Sequence, residues 1–189
     1  TYGDFRLMSK ILVDTIDTRS GTSNITIGSS NASQITLKSG ATLTNFPTNT
    51  PAFMAYAPSG SGQSIASASQ TKVNFSTEFF DTDGKYDNSA MRFTPTVAGK
   101  YLITAGLSFA VTGDRNYIII FIYKNGSELL KSINRSPNVD DNGVVITGLV
   151  DLDADDYVEI YAKQNTGSNQ TITGSNSDRT TFFGGFKLA

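Results

Sequence analysis

From Lys100 to Ala110 every second residue is apolar: Tyr101, Ile103, Ala105, Leu107 and Phe109. A period of two marks a half-buried strand, because successive side chains point to opposite faces of a sheet. The same reading gives strands at Val73–Phe75, Arg92–Thr94, Ser127–Ile133, Val144–Leu152, Tyr157–Lys163 and Thr180–Leu188. Tyr117–Tyr123 is continuously apolar, which predicts a strand covered on both faces. Asn125-Gly126 is a hairpin signal. No stretch of useful length repeats at helical spacing. Strands alone must bury their apolar faces by stacking sheet on sheet, so the expected class is all-β, a two-sheet sandwich or jelly roll.

Composition narrows the chemistry. The 189 residues include no His, no Cys and no Trp. Without histidine there is no Ser-His-Asp or Cys-His machinery and no histidine-bound zinc. Without cysteine there is no thiolate, iron–sulfur cluster or disulfide. Only 17% of residues are charged and the net charge is -2, so the basic excess expected of a nucleic-acid binder is missing. Seven residues, Tyr117–Tyr123, form the longest apolar run, far short of a membrane-spanning helix. The first residues carry no basic region followed by an apolar one, so no secretion signal and no membrane insertion are expected.

Residues 20–50 form a distinct tract of Ser, Thr, Asn and Gly in which Lys38 is the sole charge. Ser23-Asn24-Ile25-Thr26-Ile27-Gly28-Ser29 recurs ten residues on as Ser33-Gln34-Ile35-Thr36-Leu37-Lys38-Ser39, and Ala41-Thr42-Leu43-Thr44 is a weaker third copy. Such strands are too short to bury a face alone. One reading is a disordered polar linker. The regular alternation of Ile25, Ile27, Ile35, Leu37 and Leu43 favours the other, a stalk in which several chains share a thin apolar axis. Pro47 and Pro51 then mark a junction. The expected organisation is an attachment segment at 1–19, a stalk at 20–50 and a head at 51–189.

One set of spacings in the head carries a family pattern. Phe75, Asp81, Tyr86, Phe93, Gly99 and Tyr101 are separated by five, four, six, five and one residues. This resembles the signature of the C1q and tumour-necrosis-factor superfamily, in its C1q branch. Lys124-Asn125-Gly126, Leu152–Val158 and the closing Thr181–Leu188 resemble further segments of that family in the same order. Ile103 and Ala105 stand where the family prefers aromatics, and Asp155 stands in place of a turn glycine. The resemblance implies a ten-stranded jelly-roll head, assembled as a compact trimer on an N-terminal stalk. There is no Gly-X-Y period, so the stalk is not collagen. A repeat of this kind before a small trimeric head is similar to bacteriophage tail or head fibre proteins. Phe93, Tyr101, Phe182 and Phe186 are then expected in the core or at subunit contacts, with the stalk Ile and Leu residues along the trimer axis.

The acidic clusters are read as turns. Asp81-Thr82-Asp83-Gly84-Lys85-Tyr86-Asp87 has the alternate carboxylates of a calcium loop, but Lys85 stands where a ligand belongs and the terminal bidentate Glu is missing. Asp153, Asp155 and Asp156 lie in one turn, whereas a hydrolytic pair converges across a cleft. No catalytic residue, metal or cofactor is expected.

Strands of a jelly roll run alternately up and down, so successive loops fall at alternate ends. The resemblance implies a C-terminus at the stalk end, and counting back from there puts Asn165–Arg179, Asn134–Asp141 and Val111–Asn116 at the tip. Asp153–Asp156 and Asn125-Gly126 fall at the base. Loops held by a rigid sheet are common recognition sites. The expected partner-binding residues are therefore Asp114, Arg115, Arg135, Asp140, Asn169 and Arg179. The expected function is that of a structural, adhesive homotrimeric fibre protein, located on a virion or outside the cell. Its N-terminal segment would meet other virion proteins, and its head would bind a host surface glycan or protein or cap the fibre. A secreted C1q-like recognition module and a polysaccharide depolymerase are the alternatives.

Overall fold

The computed structural model describes residues 51–110, 117–135 and 142–188. They form strands β1 (Ala52–Tyr56), β2 (Gln63–Ile65), β3 (Thr71–Lys72), β4 (Thr77–Asp81), β5 (Tyr86–Asp87), β6 (Arg92–Phe93) and β7 (Gly99–Ala110). These are followed by β8 (Ile118–Lys124), β9 (Ser127–Asn134), β10 (Asn142–Leu152), β11 (Val158–Gln164), β12 (Gln170–Thr173) and β13 (Phe182–Lys187). The first sheet runs β2-β12-β7-β13-β1-β4, with β10 on the other side of β7. The second runs β5-β6-β11-β8-β9, with β3 also pairing β11. The fold is an all-β jelly-roll sandwich, and every pairing between these strands is antiparallel.

The alternation in β7 does what its period requires. Tyr101, Ile103, Ala105, Leu107 and Phe109 are all buried between the sheets. From the second sheet come Ile118, Ile120 and Ile122 of β8 and Val158, Ile160 and Ala162 of β11. At one end of this core the aromatic rings gather. Phe53 stacks on Phe93 at 4.2 Å and meets Phe183 edge-on at 4.9 Å, geometries that suit the ring quadrupoles.

The spaced signature residues turn out to be the struts of this end. Asp81 accepts hydrogen bonds from the backbone N–H groups of Asp83, Lys85 and Tyr86, fixing the turn after β4. Tyr86 is buried and donates its hydroxyl to the Phe75 carbonyl at 3.0 Å. Desolvation pushes its pKa well above the ordinary tyrosine value, which keeps it a donor. Tyr101 donates to the Val97 carbonyl at 2.7 Å, bracing the turn before its own strand. Gly99 sits at φ +153°, and a Cβ there would meet Lys187 Cε at 2.7 Å.

Three sequence expectations need correction. Tyr117–Tyr123 is covered unevenly on its two faces. Its inward Ile118, Ile120 and Ile122 and its outward Phe121 are buried, while outward Ile119 and Tyr123 are half-buried among the side chains of their own sheet. The strand expected at Val73–Phe75 ends at Lys72. Val73 prolongs the pairing with one bond to the Ile160 carbonyl, and Val73 and Phe75 are both buried. The stretch Asn165–Arg179 is not all loop, because it contains β12. Buried Thr181 holds it down, donating to the Thr173 carbonyl and accepting from the Ser108 N–H.

Candidate functional site

The first sheet has an outer face, and the register of its strands sets out that face in three rows. Leu149, Leu102, Phe186 and Ala52 form the first. Thr147, Thr104, Gly184, Met54 and Phe80 form the second. Val145, Gly106, Phe182 and Tyr56 form the third. These residues are opposite in parity to the core positions, so the pleat turns them away from the second sheet. Leu149 is 66% exposed, Val145 58%, Phe186 45% and Phe80 43%. The one polar pair among the rows is self-satisfied, with the Thr104 and Thr147 hydroxyls 3.0 Å apart.

Glycine shapes this face. At Gly106 an added Cβ would come within 2.5 Å of the Phe182 ring, which lies over the bare backbone. Gly184 leaves a dent of about 220 Å³ among Met54, Phe80, Phe182 and Phe186. Beside the face, β9 and the unpaired side of β10 form an edge. Leu129 and Leu130 are exposed along it, with Leu130 packed over Gly148, while Ile133 opposes Ile119 and is exposed on the outer face of the second sheet. Large contiguous apolar exposure on a soluble domain marks an interaction surface.

The second sheet presents a different exterior. Lys72 pairs with Glu159, and Lys131 with Glu128 at 3.2 Å. Tyr123 stacks on Tyr161 at 4.2 Å and donates its hydroxyl to Gln70 at 3.0 Å. At one end the β8–β9 hairpin turns through Asn125 and Gly126, both at positive φ, as a two-residue turn of this hand requires. Asn125 and Lys124 both donate to the Asp156 carboxylate, at 2.6 and 2.7 Å, and the Asp153 N–H adds a third bond. These bonds, from Lys124 first, then Asn125 and Asp153, hold the Asp156 carboxyl down at about 2. Its oxygens are spent on joining two turns.

The expected partner-binding residues are only partly brought together. Asp114, Arg115 and Asp140 lie outside the described residues, as do all the stalk positions Ile25, Ile27, Ile35, Leu37 and Leu43. Arg135 and Asn169 are exposed, at the end of the sandwich where β9 and β11 finish. Arg179 is half-buried, with its guanidinium 4.2 Å from the Phe79 ring centre and 5.3 Å from that of Tyr56. It belongs to the margin of the apolar face. Phe93 and Tyr101 are in the core, Phe182 is half-buried and Phe186 stands on the outer face. Sequence reasoning missed Met54, Phe80, Leu102, Val145 and Leu149. The available signal was β10 itself, where apolar residues occur at both parities.

Residues 52–188 match the C1q domain. The chain belongs to the C1q domain family. Its sandwich is similar to the globular domain of zebrafish complement 1qA protein, with a TM-score of 0.52 and 16% identity, covering 74% of this chain and 98% of that one. It is equally similar to murine APRIL at pH 5.0, with a TM-score of 0.55 and 16% identity, covering 74% and 99%. For Eiger TNF from S. frugiperda the TM-score is 0.55 at 13% identity, covering 74% and 92%. At these identities the likeness is one of fold. In sequence, the chain is 28% identical over 124 residues to the phage-like element PBSX protein XkdV of Bacillus subtilis (strain 168), covering 60% of this chain. It spans 18% of that protein's length. In the C1q family setting, Phe75, Asp81, Tyr86, Phe93, Gly99 and Tyr101 act as fold residues, and the outer face of the first sheet is the candidate site.

Proposed function

We propose that this chain is a structural, adhesive fibre protein of a virion or phage-like particle, a homotrimer whose C1q head recognises a host surface glycan or protein. The observation that carries this reading is the apolar outer face of the first sheet. Burying Leu149, Val145, Phe186 and Phe80 against another copy would add about 25 cal/mol for each Å² removed from water. The same chain offers a second apolar patch, the edge with Leu129 and Leu130. A face on one copy and an edge on the next make a head-to-tail contact, which closes into a ring when the rotation between copies is a whole fraction of a turn.

The likeness to a phage-like element protein supports a particle setting. In that setting residues 1–19 join other particle proteins, residues 20–50 form the trimeric stalk, and the loops with Asp114, Arg115, Arg135, Asp140 and Asn169 meet the host. The head needs no catalysis to do this. Light scattering of the full chain at micromolar concentration tests the assembly. The expected mass is that of three chains, and a monomer would defeat the reading.

A further inference from the structure

A cleft of about 300 Å³ opens at the margin of the second sheet. Three segments line it: Gly84–Asp87, which runs from a turn into β5, the stretch Arg92–Thr96 from β6 onward, and Asp155 of the β10–β11 turn. We propose that this cleft is a saccharide-binding site that takes one uncharged pyranose unit of a glycan. The proposal deepens the reading of the head as a recognition module but places the contact away from the self-association face and the tip loops.

Size comes first. The volume lies at the low end for ligand pockets, enough for one ring and too small for a folded peptide segment. The side chains then select the chemistry. Lys85 and Arg92 bring two cations, Asp87 and Asp155 two carboxylates, and Thr94 and Thr96 two hydroxyls. No ion pair within 4.0 Å joins these four charged groups to one another. The charges sum to zero, so the carboxylates repel a phosphate or sulfate and the cations repel a metal ion or polyamine. What suits such a mixed wall is a ligand whose every polar group both donates and accepts. Sugar hydroxyls have that property.

The wall is also held in place before any ligand arrives. Asp81 anchors the Lys85 and Tyr86 amides. The Asp155 N–H donates to the Pro95 carbonyl at 3.1 Å, tying two sides of the cleft together. The Arg92 guanidinium lies over the Tyr157 ring, 4.9 Å from its centre. Asp87 uses one oxygen, Oδ1, to accept from Ser89 Oγ and from the Ser89 and Ala90 amides. Those bonds, the Ser89 hydroxyl's first, hold its carboxyl below the usual range. Its Oδ2 is left to accept from a ligand. Preorganised polar groups lose less entropy on binding.

Titrating the full-length, isotope-labelled protein with methyl glycosides of glucose, galactose, mannose and N-acetylglucosamine tests this by amide chemical shifts. At least one glycoside should shift the Lys85, Thr94, Thr96 and Asp155 amides saturably. Affinity should be weak, about millimolar, as for a single small ring. Arg92→Ala and the near-isosteric Thr96→Val should each weaken binding about fivefold to tenfold, the loss of one or two hydrogen bonds. Thr96→Val keeps the test valid if Arg92→Ala disturbs folding. No shift at these amides, equal shifts with inorganic phosphate, or unchanged affinity in Thr96→Val would overturn the proposal. A trimer that binds none of the glycosides defeats the cleft alone, whereas a monomer that binds one defeats only the trimeric fibre.

Discussion

The two outer faces of the sandwich share a pleat and differ in what they leave in water. On the first sheet the outward positions are Leu149, Leu102, Phe186, Met54, Phe80 and Val145. On the second, the outward polar residues pair off, Lys72 with Glu159, Lys131 with Glu128, Tyr123 with Gln70 and Tyr161, beside the apolar Ile119, Phe121 and Ile133. A face whose polar groups are mutually satisfied is complete in solvent. A face of unpaired apolar side chains gains free energy only when something covers it. In the proposed trimer the difference separates an assembly side from an exterior side and leaves the polar cleft on the exterior.

The sharpest break of this comparison is charge on one face and not the other. In a chain whose stalk axis is opened by Ile27→Asp and Leu37→Asp, adding Leu149→Asp with Phe186→Asp should convert the assembly to single chains, since an aspartate buried in an apolar contact is strongly disfavoured. Lys163→Glu, on the outward side of β11, should leave the mass unchanged. Light scattering reads both. Equal effects from the two variants would erase the distinction between the faces.

A smaller effect is expected where the second face is tied together. The Glu159 side chain is 8% exposed and that of Lys72 30%. Glu159→Gln keeps the shape but leaves Lys72 without its counter-charge. The loss should be about 1–2 kcal/mol, between an exposed pair and a fully buried one. Urea unfolding measures it. The assembly mass should not move, because this face lies outside the proposed contact.

The parts of this molecule that were legible in its sequence are those where one face of a strand is buried. β7 declares itself through five apolar residues at alternate positions, all of them buried. The signature from Phe75 to Tyr101 was legible as spacing because each member has a fixed strut to make. β4 was not legible. A bulge between Met54 and Ala55 in its pairing with β1 puts Phe79 and Phe80 consecutively on the surface, which destroys the alternation. β12 was hidden because one of its two buried residues is Gln170, a polar side chain in a polar stretch. The assembly face escaped for a different reason. Val145 and Leu149 share one strand with the equally apolar Val144, Ile146 and Val150, and only the register shows which of them point outward. Arg179 was placed among the tip residues by counting strands, and what the count did not show is that its guanidinium settles on Phe79 and Tyr56.

The smallest expected effect concerns acid. On the second sheet, Asp156 binds Lys124, Asn125 and the Asp153 amide, and its carboxyl is held down at about 2, against 3.8 for a free one. A carboxylate with a lowered folded-state pKa contributes stability that is complete above its unfolded value. That contribution fades as pH falls from about 3.8 through about 2. Asp156→Asn removes the titrating group, so the variant should be slightly less stable at neutral pH. Its stability should also fall less steeply than that of the parent between these two values. Melting temperatures taken across that window measure the slope. The apolar face of the first sheet has no carboxylate in its three rows, so Leu149→Asp with Phe186→Asp is the variant that brings acid sensitivity to that side. If Asp156→Asn leaves the acid limb unchanged, the Lys124–Asn125–Asp156 junction is not what joins these two turns, and the second sheet's exterior is less tightly self-satisfied than its geometry indicates.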